Sequence, residues 1–393
     1  MKKLLRIAAY VMELTLAYIC AFFLKCFSRD LRGVWIVSER GDDARDNGYF
    51  FFRYMREKHP QKRIYYVIDC SSADYSKVQK LGNVIQYGSF RHFLFYALSA
   101  VRISSSAWGG DVPKADYRKK LRKLIPENKK NVFLQHGITK DYLPSLMYPN
   151  FTPDVFVCGA YPEYKYIRDN FKHDASVVKY LGLARFDNLH NRKTKQQILV
   201  MPTFRRWLQG KPNQEVVDSE YLTVWNNFLN DSQIAKLLEE NDLDLIFYPH
   251  YVMQKYVQMF HTKCSKIKIA KFEDYDVQTL LAESKLLVTD FSSVFFDFVY
   301  MEKPVIYFQF DRERYIKEHY DFTKGYFSYD HDGFGDVTRN EDDLTSAIEK
   351  CIHNNFRLAE KYARRLRAFF PLKDQNNCDR IYQCIEDLLK ESD

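Results

Sequence analysis

The run Val288-Thr289-Asp290-Phe291-Ser292-Ser293-Val294-Phe295-Phe296-Asp297 joins an apolar strand, a short polar turn and an apolar helical stretch opening on hydroxyls. Strand character covers Lys285 to Thr289, and helical spacing runs from Ser293 to about Met301, with Val294, Phe295, Phe298 and Met301 on one face. A helix start offers unpaired backbone N–H groups and the positive end of a dipole, and hydroxyls add donors. Phosphate is the chemistry that fits such a place. Thr289, Ser292 and Ser293 are therefore candidate phosphate ligands. The plainer alternative is that Asp290 or Ser292 caps the helix. Asp297 lies one turn beyond Ser293 and faces the same way, to brace the turn, receive a ligand hydroxyl or simply occupy the helix face.

In open parallel sheets, ligands sit outside the carboxyl ends of the strands. Other apolar runs also end in groups capable of chemistry. Gln135-His136-Gly137 follows one and Tyr248-Pro249-His250-Tyr251 another. Histidine is the usual base near neutral pH. The alternatives are a His136 bonded to a neighbouring loop and a His250 packed beneath Tyr248 and Tyr251. His59, His173, His261 and His353 sit in polar surroundings and read as surface residues. Pro202-Thr203-Phe204-Arg205-Arg206 is a compact turn that would aim Arg205 at a phosphate with two parallel bonds, unless it is a plain surface arginine. Gly182-Leu183-Ala184-Arg185-Phe186-Asp187 offers Arg185, either to a ligand or to an internal pair with Asp187. A cleft between two domains would gather these five strand ends.

The elements that must position them alternate. Val34–Val37, Arg63–Ile68, Asn83–Gln86, Val101–Ser104, Asn131–Gln135, Val155–Cys158 and Val177–Leu181 read as strands, and so do Gln196–Met201, Leu243–Tyr248, Ile267–Ile269, Leu286–Thr289 and Val305–Phe308. Gly48–Lys58, Phe90–Leu98, Asp218–Asn241 and Asp276–Ser284 read as helices between them. Such alternation predicts an α/β chain of two doubly wound, Rossmann-like domains with parallel sheets covered on both faces. The expected division is residues 1–32 as an apolar helix, 33–190 and 191–357 as the two domains, and 358–393 as helices crossing back to the first. Segment 109–126 reads as a basic loop or short helix.

The chain has 393 residues, 46% hydrophobic and 28% charged, a globular composition long enough for two or three domains. Its net charge of +8 suits a polyanionic substrate or an anionic membrane surface. Lys and Arg are spread throughout without a nucleic-acid-binding fingerprint, so nucleic acid is not an expected partner. Eight scattered cysteines without a CxxC pair point to thiols in a reducing compartment, and the sequence calls for no metal and no cofactor. Leu4 to Leu24 is almost wholly apolar, with Lys2, Lys3 and Arg6 at one end and Lys25, Arg29 and Arg32 at the other. Its length approaches that of a membrane span, yet Glu13 sits at its centre, where charge is costly. A helix lying against the inner leaflet is the first reading; a single span and a helix packed on the protein's own core are the alternatives.

Taken in order, Ser38-Glu39-Arg40, Ala44-Arg45-Asp46-Asn47-Gly48, Gln135-His136-Gly137, Gly182 to Asp187, Pro202 to Arg205, Tyr248-Pro249-His250, Thr289 to Asp297 and Lys303-Pro304-Val305-Ile306-Tyr307 resemble the CDP-glycerol glycerophosphotransferases of teichoic acid and capsule synthesis. The resemblance implies a glycosyltransferase-B architecture and transfer of glycerol phosphate or ribitol phosphate from a CDP-alditol to a hydroxyl, releasing CMP. The acceptor would be a lipid-linked saccharide or a growing poly(alditol phosphate), at the cytoplasmic face of the membrane, with the protein peripheral or single-span. It implies that His136 and His250 are the catalytic pair, and that Thr289, Ser292, Ser293 and Arg205 bind the donor; Asp297 and Arg185 are further expected donor-binding residues. Segment Tyr329 to Gly335 departs from the family's pattern. Two other classes stand beside this reading: a glycosyltransferase of the same fold using a nucleotide sugar, and a non-catalytic membrane-associated scaffold. The sequence sets no oligomeric state.

Overall fold

A computed structural model describes residues 2–27, 31, 33–107, 129–190, 192–319 and 325–391. The basic segment 109–126 lies outside the described residues. The chain divides into two compact units. Unit 1 comprises residues 1–136, 143–188 and 374–393, and unit 2 comprises 137–142 and 189–373. Helix Glu360–Phe369 therefore belongs to unit 2, and only the last helix, Asn377–Lys390, joins unit 1.

Unit 1 is built on seven parallel strands: β1 (Trp35–Ser38), β2 (Ile64–Ile68), β3 (Val84–Gln86), β4 (Val101–Ser104), β5 (Lys130–Phe133), β6 (Val155–Cys158) and β7 (Val178–Tyr180). Their order is β3-β2-β1-β4-β5-β6-β7, so the direction of winding reverses between β1 and β4. Unit 2 carries β8 (Gln197–Met201), β9 (Asp244–Phe247), β10 (Ile267–Ile269), β11 (Leu286–Thr289), β12 (Val305–Phe308) and β13 (Gly335–Thr338), all parallel in the order β10-β9-β8-β11-β12-β13. The reversal here lies between β8 and β11. Sheets with helices on both faces bury their strands on both sides, which is why β1, β4, β6, β11 and β12 are buried along their whole length.

Three elements differ from the sequence expectation. Strand β13 was not among the expected strands: Gly335-Asp336-Val337-Thr338 offers one large apolar side chain and pairs only with β12, at the sheet edge. The stretch Asp218–Asn241 forms two helices, Glu220–Leu229 and Ser232–Glu240, because Asp231 caps the second through the N–H groups of Gln233 and Ile234. The helix after β11 is shorter than expected, Phe295–Tyr300, so Ser292 and Ser293 belong to the turn before it.

The core of unit 2 gathers Ile198, Val200, Trp225, Phe228, Phe247, Val288 and Phe308. Trp225 packs its ring 5.5 Å from Phe247 and 5.3 Å from Phe308. The core of unit 1 gathers Trp35, Phe52, Tyr66, Ile103 and Val157, closed by Cys378, Ile381 and Ile385 of the last helix. The N-terminal helix, Lys2–Phe27, buries Tyr10, Leu14 and Ala17 in a smaller cluster of unit 1 with Ile36, Val67, Phe93 and Tyr96. All eight cysteines are free thiols. Replacing Trp225 by Ala leaves a cavity beneath two strands and is expected to cost about 3–5 kcal/mol. Denaturant unfolding of unit 2 measures that loss.

Candidate functional site

Two separate groups of strand ends hold the candidate residues, one in each unit.

In unit 1 the ends of β1, β5, β6 and β7 are tied together. Glu39, buried just past β1, accepts the N–H groups of Arg45 (2.9 Å), Asp46 (2.9 Å) and Tyr49 (2.9 Å). Burial, with Asp46 and Asp43 nearby, raises its pKa to about 8, while the N–H donors pull the other way. Asn47, buried, donates to the Gln135 carbonyl at 2.7 Å and accepts the Arg185 N–H at 3.0 Å. Gln135 takes the left-handed conformation, φ +58°, and its side chain donates to Val157 O (2.7 Å) and to the buried Glu163 (3.0 Å). Such a conformation persists in a residue other than glycine only where its surroundings fix it. Those bonds fix the backbone that presents His136.

His136 keeps solvent access, and its own carbonyl accepts Arg185 Nη1 at 2.7 Å. The surrounding protein, then the charges of Arg185 and Arg40, lower its pKa from 6.5 to about 4. It is neutral at pH 7, the form a base requires. Arg185 is buried and also bonds Asp46 at 2.7 Å. The expected partner Asp187 instead caps the last helix, accepting from Asn377 N (2.9 Å) and Cys378 N (2.8 Å). Gly182 has φ +81°, and a Cβ there would stand 1.7 Å from Asn377 Oδ1. Gly182 to Asp187 thus anchors the last helix as well as holding the His136 loop.

In unit 2 the loops after β8, β11 and β12 meet at a buried charge cluster. Arg205, expected to reach a phosphate, has no solvent exposure. Its Nη1 bonds Asp290 at 2.8 Å, and its Nε and Nη2 bond Asp311 at 2.6 and 2.9 Å. Burial alone would lower its pKa, but Asp290 and Asp311 outweigh it and raise it. Asp290 does not cap the helix. Its Oδ1 accepts from Thr203 N (2.9 Å), Thr203 Oγ1 (2.6 Å) and Phe291 N (2.6 Å). Thr289 is also inward: it is fully buried, and its hydroxyl donates to Met201 O at 2.6 Å. Thr289 and Arg205 are therefore framework in this arrangement, because every strong bond they make is internal. Asp297 is buried and accepts from Gln278 Nε2 at 3.2 Å. Ser292 and Ser293 remain half-buried on the turn.

His250 ends the loop after β9. Its Nδ1 accepts the Val252 N–H at 3.3 Å, which places the hydrogen of the neutral ring on Nε2. Phe204 stacks on it with ring centres 4.8 Å apart. Phe204 also meets His319 at 4.9 Å, His319 stacks on Tyr315 at 4.2 Å, and Tyr315 on Phe291 at 3.7 Å. This row of rings joins the loops carrying Arg205, His250 and Asp290. Sequence reading passed over His319. Its pKa is lowered to about 4, first by burial and then by the charge on Arg205. His173, expected at the surface, is buried and bonds Leu146 O at 2.8 Å. His261 and His353 are exposed.

Residues 19–141 and 161–387 match the model of the CDP-glycerol:poly(glycerophosphate) glycerophosphotransferase family. The chain belongs to that family. It is 34% identical over 370 residues to the minor teichoic acid biosynthesis protein GgaB of Bacillus subtilis (strain 168), covering 90% of this chain and 40% of that protein. It is 22% identical over 360 residues to the teichoic acid poly(glycerol phosphate) polymerase of the same organism, covering 85% of this chain and 46% of that protein. The chain thus spans less than half the length of these two curated relatives. Among solved structures it resembles the wall teichoic acid polymerase TagF, with a TM-score of 0.67 at 16% identity over 99% of this chain and 98% of the other. That likeness places the fold in the glycosyltransferase-B class of two doubly wound α/β units.

Replacing Arg205 by Ala leaves Asp290 and Asp311 buried without their cation, so a stability loss of about 3–5 kcal/mol is expected by denaturant unfolding. Unchanged stability with weaker phosphate binding would instead mark Arg205 as a ligand. The His136 ring should titrate near 4 in an NMR pH series, not near 6.5. Between these values the unfolded chain takes up a proton that the folded form does not. This residue's contribution to stability therefore falls as pH drops from about 6.5 to 4 and is constant above about pH 7.

Proposed function

We propose that this protein transfers an alditol phosphate, glycerol phosphate or ribitol phosphate, from a CDP-alditol to a hydroxyl and releases CMP. The acceptor is a lipid-linked saccharide or a growing poly(alditol phosphate) at the cytoplasmic face of an anionic membrane, in teichoic acid or capsule synthesis. Family membership supports the reaction class. The observation that carries the reading is a solvent-accessible His136 on a loop held by Asn47 and Arg185. Unit 1 serves the acceptor and unit 2 the donor.

In this reading His136 takes the proton of the acceptor hydroxyl as its oxygen attacks the donor's β-phosphorus. The bond from that phosphorus to the oxygen bridging to CMP breaks, and CMP leaves with the electron pair. His250 presents Nε2–H, which suits donation to a phosphoryl oxygen or to the departing CMP. Ser292 and Ser293 offer hydroxyls to the donor phosphates, and Asp297 and Thr289 shape the turn behind them. Arg205 and Arg185, expected as donor ligands, act by holding loops. Positioning supplies most of the acceleration in such transfers.

The test is incubation with CDP-glycerol and CDP-ribitol in turn, following CMP, with a lipid-linked disaccharide and with water as acceptors. His136→Ala should lower turnover at least about a hundredfold with an unchanged unfolding midpoint. A folded, fully active variant would remove His136 as the base. Release of a nucleoside diphosphate from a nucleotide sugar would replace the reading with sugar transfer.

A further inference from the structure

We propose that Lys140 is a further donor-binding residue, its ammonium meeting the pyrophosphate of the CDP-alditol at the serine turn, with the Tyr329 hydroxyl as a second donor there. This rests on the proposed reaction and adds the cation that reading lacks.

The segment 137–142 follows His136 directly and packs within unit 2. Gly325 admits it: a Cβ there would stand 2.0 Å from Lys140 O and 2.7 Å from Asp141 Cα. Lys140 is buried, and its ammonium lies 5.6 Å from the centre of the Tyr329 ring. That ring packs edge-on to Phe291 at 6.1 Å and tilted against Phe295 at 5.9 Å. Phe291 and Phe295 bracket Ser292, Ser293 and Val294 in the chain, so Lys140 stands one ring away from the serine turn. The Tyr329 hydroxyl is buried and has no hydrogen-bond partner among the described residues. A buried donor left unpaired is costly, and a phosphate oxygen fills it. Tyr329 also opens the segment in which the sequence departs from the family's pattern.

A pyrophosphate carries its charge before any bond breaks, so the donor calls for a cation at the binding stage, where a charge-assisted bond is strong. Three nearby cations are committed elsewhere. Arg205 is closed in by carboxylates with 0% and 2% exposure. Lys303 donates to the Leu281 and Ala282 carbonyls at 2.9 and 2.5 Å. Arg312 meets Asp330 at 2.8 Å. Lys140 has a partner too, Asp141 Oδ2 at 2.5 Å, but the Asp141 side chain is 30% exposed. An ion pair with one member in water is weak and screened, whereas a buried one is broken only at high cost. Lys140 can therefore be drawn to a phosphate, and Arg205 cannot.

Binding of CDP-glycerol and of CDP-ribitol to the full chain is measured by calorimetry, with thermal unfolding followed on the same samples. Lys140→Met keeps the apolar stem on Tyr329 and removes the charge. It should weaken binding of the CDP-alditol at least about tenfold with an unchanged unfolding midpoint. Lys140→Arg should restore most of that binding. Asp141→Asn frees the ammonium and should bind at least as tightly as the unmodified chain. Equal binding by Lys140→Met would overturn the proposal. So would the same loss from Asp141→Asn as from Lys140→Met, which would mark a purely structural ion pair. Failure of the unmodified chain to bind either CDP-alditol would remove the proposed reaction itself, and the role of Lys140 with it.

Discussion

A guanidinium with no access to water, gripped by two carboxylates, sets the geometry of unit 2. Arg205 comes from the loop after β8, Asp290 from the end of β11 and Asp311 from the loop after β12. Taking three charges out of water costs several kcal/mol for each ion, and the cost is met only where the bonds are short and complete. Here they are. Both edges of the guanidinium are occupied, Nη1 also donates to Thr203 O at 2.7 Å, and the rings of Tyr221 and Tyr315 each lie 5.1 Å from its centre. Asp290 fills its remaining lone pairs with Thr203 and Phe291. The strands on either side of the reversal, β8 and β11, are thus locked at their carboxyl ends, and the serine turn inherits its position from that lock.

Unit 1 solves the same problem with less charge. Its loops after β1, β5 and β7 are joined through the amide of Asn47, and Glu39 gathers three N–H groups at the start of helix Asn47–Lys58. In both units most of the polar residues at the strand ends are spent on each other. His136 in one unit, and Ser292, Ser293 and His250 in the other, keep access to solvent. A rigid frame is what transfer chemistry by positioning demands.

The strands were legible because parallel strands buried on both faces must be apolar throughout, as Ile198-Leu199-Val200 and Leu286-Leu287-Val288 are. An edge strand lacks that requirement, and β13 hides behind Gly335 and Asp336 for that reason. The chemistry-bearing residues were legible as types and in their order along the chain. Their individual roles were not. Arg205 and its partner Asp311 are 106 residues apart, and no local pattern tells a phosphate fork from an internal one. Thr289 looks like a ligand in its own turn and proves to be a tie to Met201 on the adjacent strand. His319 acquires meaning only through the ring of Phe204.

The arginine lock also changes where charge compensation in the proposed transfer must come from. The Arg205 guanidinium is already occupied by the two carboxylates of Asp290 and Asp311. In the proposed function the donors assigned to the phosphates are the Ser292 and Ser293 hydroxyls and the ring of His250. A loose phosphoryl transition state tolerates this, since little new charge gathers on the transferred group and most develops on the leaving oxygen. A single well-aimed N–H at that oxygen then matters more than a general positive field. The Nδ1 bond from Val252 and the stacking on Phe204 hold the His250 ring to which the proposed function gives that duty. His136 has a lowered pKa from its surroundings and the charges of Arg185 and Arg40, and His250 accepts the Val252 N–H at Nδ1.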